Sequence, residues 1–147
     1  MKIKYYSTSD TVSTLERNQI VNFLYTHLEQ YGDPKADIRN AVDYALNSYP
    51  MAGGFILTAT EGDEILGSVV MNRTGMEGYI PENILVYIAV HKDHRGEGIG
   101  KKLMEEAIKM AKGNIALHVE PDNPARYLYE KYNFTNKYLE MRLKKPA

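Results

Sequence analysis

Three glycines at alternate positions lie among basic side chains in a segment that could bind an anion. Gly96, Gly98 and Gly100 follow Arg95 and precede Lys101, between an apolar run and a helical pattern. Glycines before a helix allow the backbone to close around a ligand, and a helix N-terminus presents unpaired N–H groups and a partial positive charge. The segment therefore predicts a phosphate-binding turn; the alternative is a plain tight turn between a strand and a helix.

The spacing of this turn does not fit two common nucleotide motifs. Lys102 stands where a P-loop has the serine or threonine that binds magnesium. The third glycine also comes one residue too early for the G-x-G-x-x-G pattern of dinucleotide-binding folds. An unrelated domain that uses the same turn to bind ATP or GTP stays open as an alternative.

The elements next to the turn follow from hydrophobic periodicity. The run NILVYIAV, residues 83–90, predicts a buried strand before the turn, and the pattern after it predicts a helix that ends at Gly113–Asn114. Two further strands, GFILTATE and EILGSVVMNR, are predicted to form a hairpin through Gly62–Asp63. The turn is therefore expected at the end of one strand of a sheet.

The N-terminal part of the chain predicts one short strand and two helices. Ser13 and Glu16 have the spacing of a capping box at the start of the first helix. Asp33 is predicted to be the N-cap of the second helix, with Pro34 at its first position, and Pro50 is predicted to end it.

The C-terminal part predicts two strands around a short helix. The run IALHV, residues 115–119, is a predicted strand, Asn123–Pro124 begins the helix, and YLEMRL, residues 138–143, alternates as a final strand. The full order is β-α-α-β-β-β-α-β-α-β, which predicts an α/β fold with one mixed sheet and helices on both faces. One domain is expected over residues 1–147.

Composition narrows the functional classes. The formal net charge of −1 argues against nucleic acid or an anionic membrane as a partner. The absence of cysteine excludes disulfides, cysteine zinc sites and a cysteine-acyl intermediate. No apolar run reaches the ~20 residues of a membrane helix, and the N-terminus lacks the apolar core of a signal peptide, so a cytoplasmic location is expected. His91 and His94 lack carboxylate partners at useful spacing, and no metal site is predicted.

Two blocks of sequence together resemble the GCN5-related N-acetyltransferases, the GNAT family. The first is Arg95-x-x-Gly98-x-Gly100 after an apolar strand, and the second is ALHVEPDNPARYLYEKYNF, residues 116–134. Asn133 stands where the family has a glycine, and asparagine is the best substitute in a left-handed turn. The resemblance implies a GNAT-like fold with a mixed, mostly antiparallel sheet of six to seven strands and about four helices.

The resemblance implies acetyl-CoA as cosubstrate and no metal. Its pyrophosphate would bind the glycine turn, and its pantetheine arm would pair with the end of the preceding strand. Asn123 is a further candidate, with a plain N-cap before Pro124 as the alternative. The predicted cofactor-binding residues are Ile88, Ala89, Val90, Arg95, Gly96, Gly98, Ile99, Gly100, Lys101, Asn123 and Tyr129.

The resemblance also implies two catalytic residues. Tyr129 matches the family's tyrosine, which donates a hydrogen bond or a proton to the departing thiolate. The family's glutamate near the middle of the fourth strand is missing, since Val86 and Tyr87 occupy that region. His118 is the candidate general base, because an imidazole has a pKa near 6.5. Glu82, Tyr87 or a chain of water molecules are the alternatives.

The acceptor is expected to be a primary amine on a small molecule, a peptide or a protein. The candidate acceptor residues are Glu29, Tyr31, Tyr79, Glu82 and Tyr87. Acidic side chains in the same segments would favour a cationic amine, with scattered surface acids as the alternative. The predicted function is acetyl transfer in a direct ternary complex; a coenzyme A-binding module without catalysis is the second hypothesis. The sequence is compatible with a homodimer.

Overall fold

A computed structural model describes residues 1–47 and 52–147 of the chain. The helices and strands are β1 (Lys2–Ser7), α1 (Thr14–Leu28), α2 (Lys35–Leu46), β2 (Gly54–Glu61), β3 (Glu64–Arg73), β4 (Asn83–Val90), α3 (Ile99–Met110), β5 (Ile115–Leu117) and α4 (Ala125–Lys131). One-turn 3-10 helices follow α1, at Glu29–Tyr31, and β4, at Lys92–His94. The described residues form two compact units, Met1–Leu117 and His118–Ala147. One domain over the whole chain stays a prediction.

The first unit is built on one mixed sheet in the order β1-β2-β3-β4-β5. The first four strands are antiparallel neighbours, and β5 runs parallel to β4. Two parallel neighbours need a crossover connection, usually a helix, and α3 lies in the connection between β4 and β5. The predicted fold class is confirmed; within residues 1–47 and 52–147 the sheet has five strands, not six to seven.

Helices cover both faces of this sheet. A cluster of buried side chains joins α1 and α2 to one face, where Ile56 and Val70 come from the central strands. Their neighbours Leu57 and Val69 are also buried and point to the opposite face, since side chains alternate along a strand. That face packs against α3, and a side chain at Gly67 would lie 2.7 Å from Leu103 of the helix. A glycine there is therefore required for close packing.

Several local predictions are confirmed. Ser13 is the N-cap of α1, and its hydroxyl accepts the Glu16 N–H at 3.1 Å. The β2–β3 hairpin turns at Gly62–Asp63, and Gly62 has a φ of 58°. The N-cap of α2 was predicted one residue too early: it is Pro34, and the Asp33 carboxylate binds a tyrosine of β4 instead. The predicted end of this helix at Pro50 lies outside the described residues.

The predicted strands of the C-terminal part differ from the structure. β5 ends at Leu117, so that His118 lies just past the strand that was predicted to contain it. Residues 138–143 form no strand, although their side chains alternate. A strand needs a hydrogen-bonded neighbour, and a period-2 pattern cannot show whether one is available. The large apolar side chains of this segment are 78–89% exposed: Tyr138, Leu139, Met141 and Leu143.

The second unit contains α4 and the residues after it. Asn133 follows the helix with a φ of 69°, which confirms the predicted left-handed turn. The Phe134 N–H donates to the Tyr129 carbonyl at 3.1 Å and closes the turn. None of the helices in the described part of the chain is long and apolar enough to cross a membrane.

Candidate functional site

The glycine turn before α3 has the backbone that its sequence predicts. Gly96 and Gly98 have φ values of 80° and 84°, in the left-handed region that side chains disfavour. Gly98 is the N-cap of α3, and the Lys102 N–H donates to its carbonyl at 3.1 Å. A Cβ at Gly96 or Gly98 would meet no atom within 4 Å. The glycines therefore serve the turn's conformation and leave open space in front of the helix.

The first turn of α3 has the electrostatics of an anion site. No side chain caps the helix and no acidic residue lies in the first turn, where Lys101 and Lys102 stand instead. Positive side chains are unfavourable beside the positive end of a helix dipole. A bound anion would offset the charge of the lysines and the positive end of the dipole. The amides of Ile99 and Gly100 lie in the same turn. This arrangement fits a phosphate group.

Among residues 1–47 and 52–147, no strand pairs with the second half of β4 on its β5 side. Its pairing with β5 stops at Leu85, opposite Leu117. The predicted pantetheine-binding residues, Ile88, Ala89 and Val90, pair with β3 on the other edge. Alternate backbone groups of a strand point to each side, so the β5 side of this stretch can accept an added extended chain.

A bulge changes the direction of β4 where the open stretch begins. Val70 of β3 pairs with Tyr87, whereas the next residue, Met71, pairs with Leu85. Val86 is therefore the extra residue, and both Val86 and Tyr87 pack on the α1–α2 side of the sheet. Bulges bend a strand and re-aim its side chains.

Arg95 contacts the end of α1. Its Nη2 lies 2.9 Å from the His27 carbonyl oxygen and 2.9 Å from the Glu29 carboxylate, and its Nε lies 3.4 Å from the Val90 carbonyl oxygen. The side chain was predicted to bind the cofactor, and Glu29 to face the acceptor. The structure brings these two predicted site residues together as an ion pair.

Tyr87 is a hydrogen-bond donor in the centre of the fold. It is 8% exposed, and its hydroxyl donates to Asp33 Oδ2 at 2.5 Å. Burial raises the pKa of Tyr87, and the bond to the Asp33 carboxylate raises it further. A phenol that keeps its proton so firmly is a poor acceptor for the proton of an amine.

Glu82 holds two loops. Its carboxylate accepts the Asn114 N–H at 2.6 Å and the Gly78 N–H at 3.0 Å. The bond from Asn114, followed by the bond from Gly78, lowers the pKa of Glu82. A lowered pKa makes a weaker base, so Glu82 is also poorly suited to take a proton at neutral pH. Tyr79, in the same β3–β4 loop, is 81% exposed.

Two histidines after β4 meet a carboxylate that the sequence spacing did not reveal. Glu64, at the start of β3, lies 3.7 Å from His91 Nε2 and 3.8 Å from His94 Nε2. The β3–β4 pairing creates this proximity. His91 Nδ1 accepts the Asp93 N–H, so the proton of the neutral ring is on Nε2, the atom that faces Glu64. Each of the three side chains offers one ligand atom within 4.8 Å of the others, so the group has a spacing that could hold a metal ion, and the sequence did not predict it.

The second unit holds the two predicted catalytic side chains. Tyr129 is 8% exposed, its ring centre lies 5.9 Å from that of Phe134, and burial raises its pKa to about 12. The His118 side chain is 59% exposed, with Nδ1 3.3 Å from Arg142 Nη2 and 4.0 Å from Glu140 Oε1.

The other predicted residues occupy ordinary structural positions. Asn123 Oδ1 accepts the Ala125 N–H at 2.9 Å, but the N-cap of α4 is Pro124, one residue later than the alternative interpretation predicted. Tyr31 lies in the 3-10 helix after α1 and is partly buried. Asp33 is the residue that sequence reasoning placed wrongly: its position before Pro34 indicated a cap, and its partner Tyr87 lies 54 residues away.

Comparison with known proteins identifies relatives of this sequence. Residues 52–136 match the family model of the acetyltransferase (GNAT) domain. Over 85 residues the chain is 28% identical to N-alpha-acetyltransferase 30 of Schizosaccharomyces pombe, a match that covers 54% of this chain and 57% of that protein. The chain thus spans little more than half the length of that relative.

Solved structures share the fold over nearly the whole chain. A Pyrococcus horikoshii protein has a TM-score of 0.65 and 25% identity, covering 95% of this chain and 93% of its own. A ribosomal-protein-alanine N-acetyltransferase from Brucella melitensis has a TM-score of 0.65 and 18% identity, covering all of both chains. An aminoglycoside N-acetyltransferase in complex with CoA has a TM-score of 0.68 and 12% identity, covering 99% and 96%.

Proposed function

The chain belongs to the GNAT acetyltransferase family, and on this premise we propose that it transfers the acetyl group of acetyl-CoA to a primary amine. The transfer would be direct, in a complex of the protein with both substrates. The absence of cysteine supports this route, since the chain has no thiol to carry an acetyl group.

The start of α3 is the observation that carries the proposal. Gly96 and Gly98 hold a left-handed turn with open space before it, and two lysines replace the acids that a helix start prefers. A pyrophosphate would supply the negative charge that the first turn of α3 lacks. The open edge of β4 from Val86 to Val90 supports the same proposal, because it offers backbone groups to the extended pantetheine arm and an N–H to the thioester oxygen.

The amine must lose a proton before it attacks the thioester. An amine with a pKa near 10.4 is only about one part in two thousand neutral at pH 7. Tyr87 is a poor proton acceptor because its hydroxyl donates to Asp33. Glu82 is a poor one because its carboxylate already accepts backbone N–H groups. We therefore assign this role to His118 or to water, and the hydrogen bond to the departing thiolate to Tyr129.

A specific observation favours a second candidate, a coenzyme A-binding module without catalysis. Val86 and Tyr87 occupy the centre of β4, and the nearby Glu82 carboxylate is bound to two backbone N–H groups. On this alternative the glycine turn would bind the cofactor, and no side chain would activate an amine.

Release of free thiol from acetyl-CoA distinguishes the two candidates. The panel should contain polyamines, amino acid amides and peptides with free N-termini; peptides are included because the Schizosaccharomyces pombe relative is named an N-alpha-acetyltransferase. Amine-dependent release above the rate without protein supports acetyl transfer. Binding of acetyl-CoA without release for any amine would favour the binding module.

A further inference from the structure

Arg95 joins three separate segments of the first unit. Its guanidinium lies 2.9 Å from both the His27 carbonyl oxygen, in the last turn of α1, and the Glu29 carboxylate. Its Nε also approaches the Val90 carbonyl oxygen at the end of β4. A cation at this place satisfies an end carbonyl of α1 and complements the negative end of that helix. Arg95 therefore attaches the C-terminal end of α1 to the segment that follows β4.

Glu29 has a backbone conformation that needs support. It follows α1 with a φ of 55° and a ψ of −131°, which residues other than glycine rarely adopt. Such a conformation persists where neighbouring contacts fix it, and the ion pair with Arg95 is a contact of this kind. Glu29 is also the first residue of the connection between α1 and α2, residues 29–34.

The same connection is held a second time near its other end. The Asp33 carboxylate accepts the Tyr87 hydroxyl at 2.5 Å, and Tyr87 lies directly after the β4 bulge at Val86. The connection is thus attached to β4 by Tyr87 and to the segment after β4 by Arg95. Under the proposed function, the acetyl donor binds along β4 and the turn that follows it, so the two anchors lie on either side of its expected path.

Arg95 is poorly placed to add charge to a phosphate site. The Glu29 carboxylate offsets its positive charge, and a phosphate brought to the same guanidinium would stand close to that carboxylate. The backbone of the glycine turn and the start of α3 supply the anion site without it.

We propose that Arg95 is a positioning residue for the amine acceptor. Through Glu29 it fixes the α1–α2 connection, and with it the exposed Asp33 carboxylate that Tyr87 holds, which would favour a cationic amine. This inference rests on the proposed function. On this inference Arg95 acts through Glu29, and not as the cofactor ligand that the sequence predicts.

A set of four variants tests the inference. Arg95→Gln and Glu29→Gln each remove one partner, the double variant removes both, and Arg95→Lys keeps the charge. Arg17→Gln is the matched control, because Arg17 of α1 forms an ion pair with Asp43 of α2 at 2.8 Å that does not involve residues 27–33. The first readout is amide hydrogen exchange of residues 27–33, and the second is acetyl-CoA affinity by calorimetry.

The inference predicts matching effects from the two partners. Each single variant should speed exchange of residues 27–33 by about fivefold or more, and the double variant should add little, since both changes break one contact. Arg95→Lys should restore part of the protection, and Arg17→Gln should leave these amides unchanged. Acetyl-CoA affinity should stay within about twofold of wild type, and the KM of the best amine in the panel should rise about fivefold at an unchanged KM for acetyl-CoA.

Two results would overturn the inference. One is a tenfold or greater loss of acetyl-CoA affinity in Arg95→Gln with no loss in Glu29→Gln, which is the pattern of a phosphate ligand. The other is unchanged exchange of residues 27–33 in both single variants. Failure of the proposed function has a different signature, namely absence of thiol release by the wild-type chain with every amine, and the exchange measurement reports on the Arg95 contact in either case.

Discussion

Tyr129 is better suited to donate a hydrogen bond than to give up its proton. Burial raises its pKa to about 12, and a thiol has a pKa of ~8.5, so complete proton transfer to the thiolate would cost about 5 kcal/mol. Tyr129→Phe should lower kcat by roughly ten- to a thousand-fold with near-normal acetyl-CoA affinity. Tyr127→Phe, on the same helix but 68% exposed, is the matched control. A kcat equal to that of wild type in a folded Tyr129→Phe variant would show that Tyr129 contributes packing and not catalysis.

His118 is the residue whose role is tested best by a pH profile. If it takes the amine proton, kcat/KM should rise with pH through the histidine's ionisation, and His118→Ala should flatten that limb. The rate deficit should shrink at high pH, where more of the amine is already neutral. The profiles require an acceptor of known pKa, because the amine's own ionisation shapes the same limb. An identical profile in the variant would leave water as the proton acceptor, since Tyr87 and Glu82 are engaged elsewhere.

Residue types could be predicted from the sequence better than their partners. The glycine turn and the tyrosine of the second block follow from local patterns. The contacts of Arg95, Tyr87 and Glu82 join positions 32–68 residues apart, and they depend on how helices and strands pack. No local pattern indicates such a contact. For this reason the sequence offered Glu82 and Tyr87 as bases, whereas the structure gives both of them other hydrogen-bonding roles.

At the scale of elements, the start of α3 yields a test of the phosphate site that separates charge from shape. Gly98→Asn and Gly98→Asp have side chains of nearly the same shape, and both residue types tolerate the left-handed conformation of position 98. The negative charge alone should then lower acetyl-CoA affinity at least about tenfold in the aspartate variant relative to the asparagine variant, and less so at high salt. Calorimetry on both folded variants measures this difference. Equal affinities would contradict a phosphate at this turn.

The contact between α1 and the segment after β4 should make stability depend on pH. His27 is 8% exposed, and its Nδ1 accepts the Lys92 N–H at 3.1 Å. Burial lowers the pKa of His27, the charges of His91, Arg95 and Lys92 lower it further, and Asp93 opposes them. The folded chain therefore binds this proton less readily than the unfolded chain. The stability that His27 contributes is present above its unfolded pKa of about 6.5 and is lost as the pH falls below it.

Thermal unfolding at pH 7.5 and pH 5.5 measures this contribution. A protonated His27 cannot accept the Lys92 N–H, and one lost hydrogen bond costs about 1 kcal/mol. The Tm of wild type should therefore fall by roughly 3–4 °C more than that of His27→Gln over this range. His118→Gln, which removes an exposed histidine, should behave as wild type. Equal shifts for wild type and His27→Gln would show that His27 does not control this dependence.

The sequence predicted an element correctly where a few neighbouring residues were enough to determine its geometry. The capping box at Ser13 depends on a bond between residues three apart, and the turn at Gly62 depends on the φ of one glycine. The segment 138–143 has only a period-2 pattern, which describes a strand face but not the neighbouring strand that must pair with it. The end of β5 at Leu117 was missed for the same reason.

For the whole molecule, acetyl-CoA should be a strong and selective stabiliser of the folded chain. A ligand that binds only the native state at one hundred times its Kd adds about 2.7 kcal/mol, which raises the Tm of a chain of this length by roughly 8–12 °C. Coenzyme A should give a shift of similar direction, since it carries the same pyrophosphate and pantetheine. ATP and GTP should give little shift at equal concentration, because they lack the pantetheine arm that the open edge of β4 is expected to bind. The Gly98→Asp variant serves as the control for binding at the turn. A larger shift with ATP or GTP than with acetyl-CoA would contradict the proposed cosubstrate, whatever the amine.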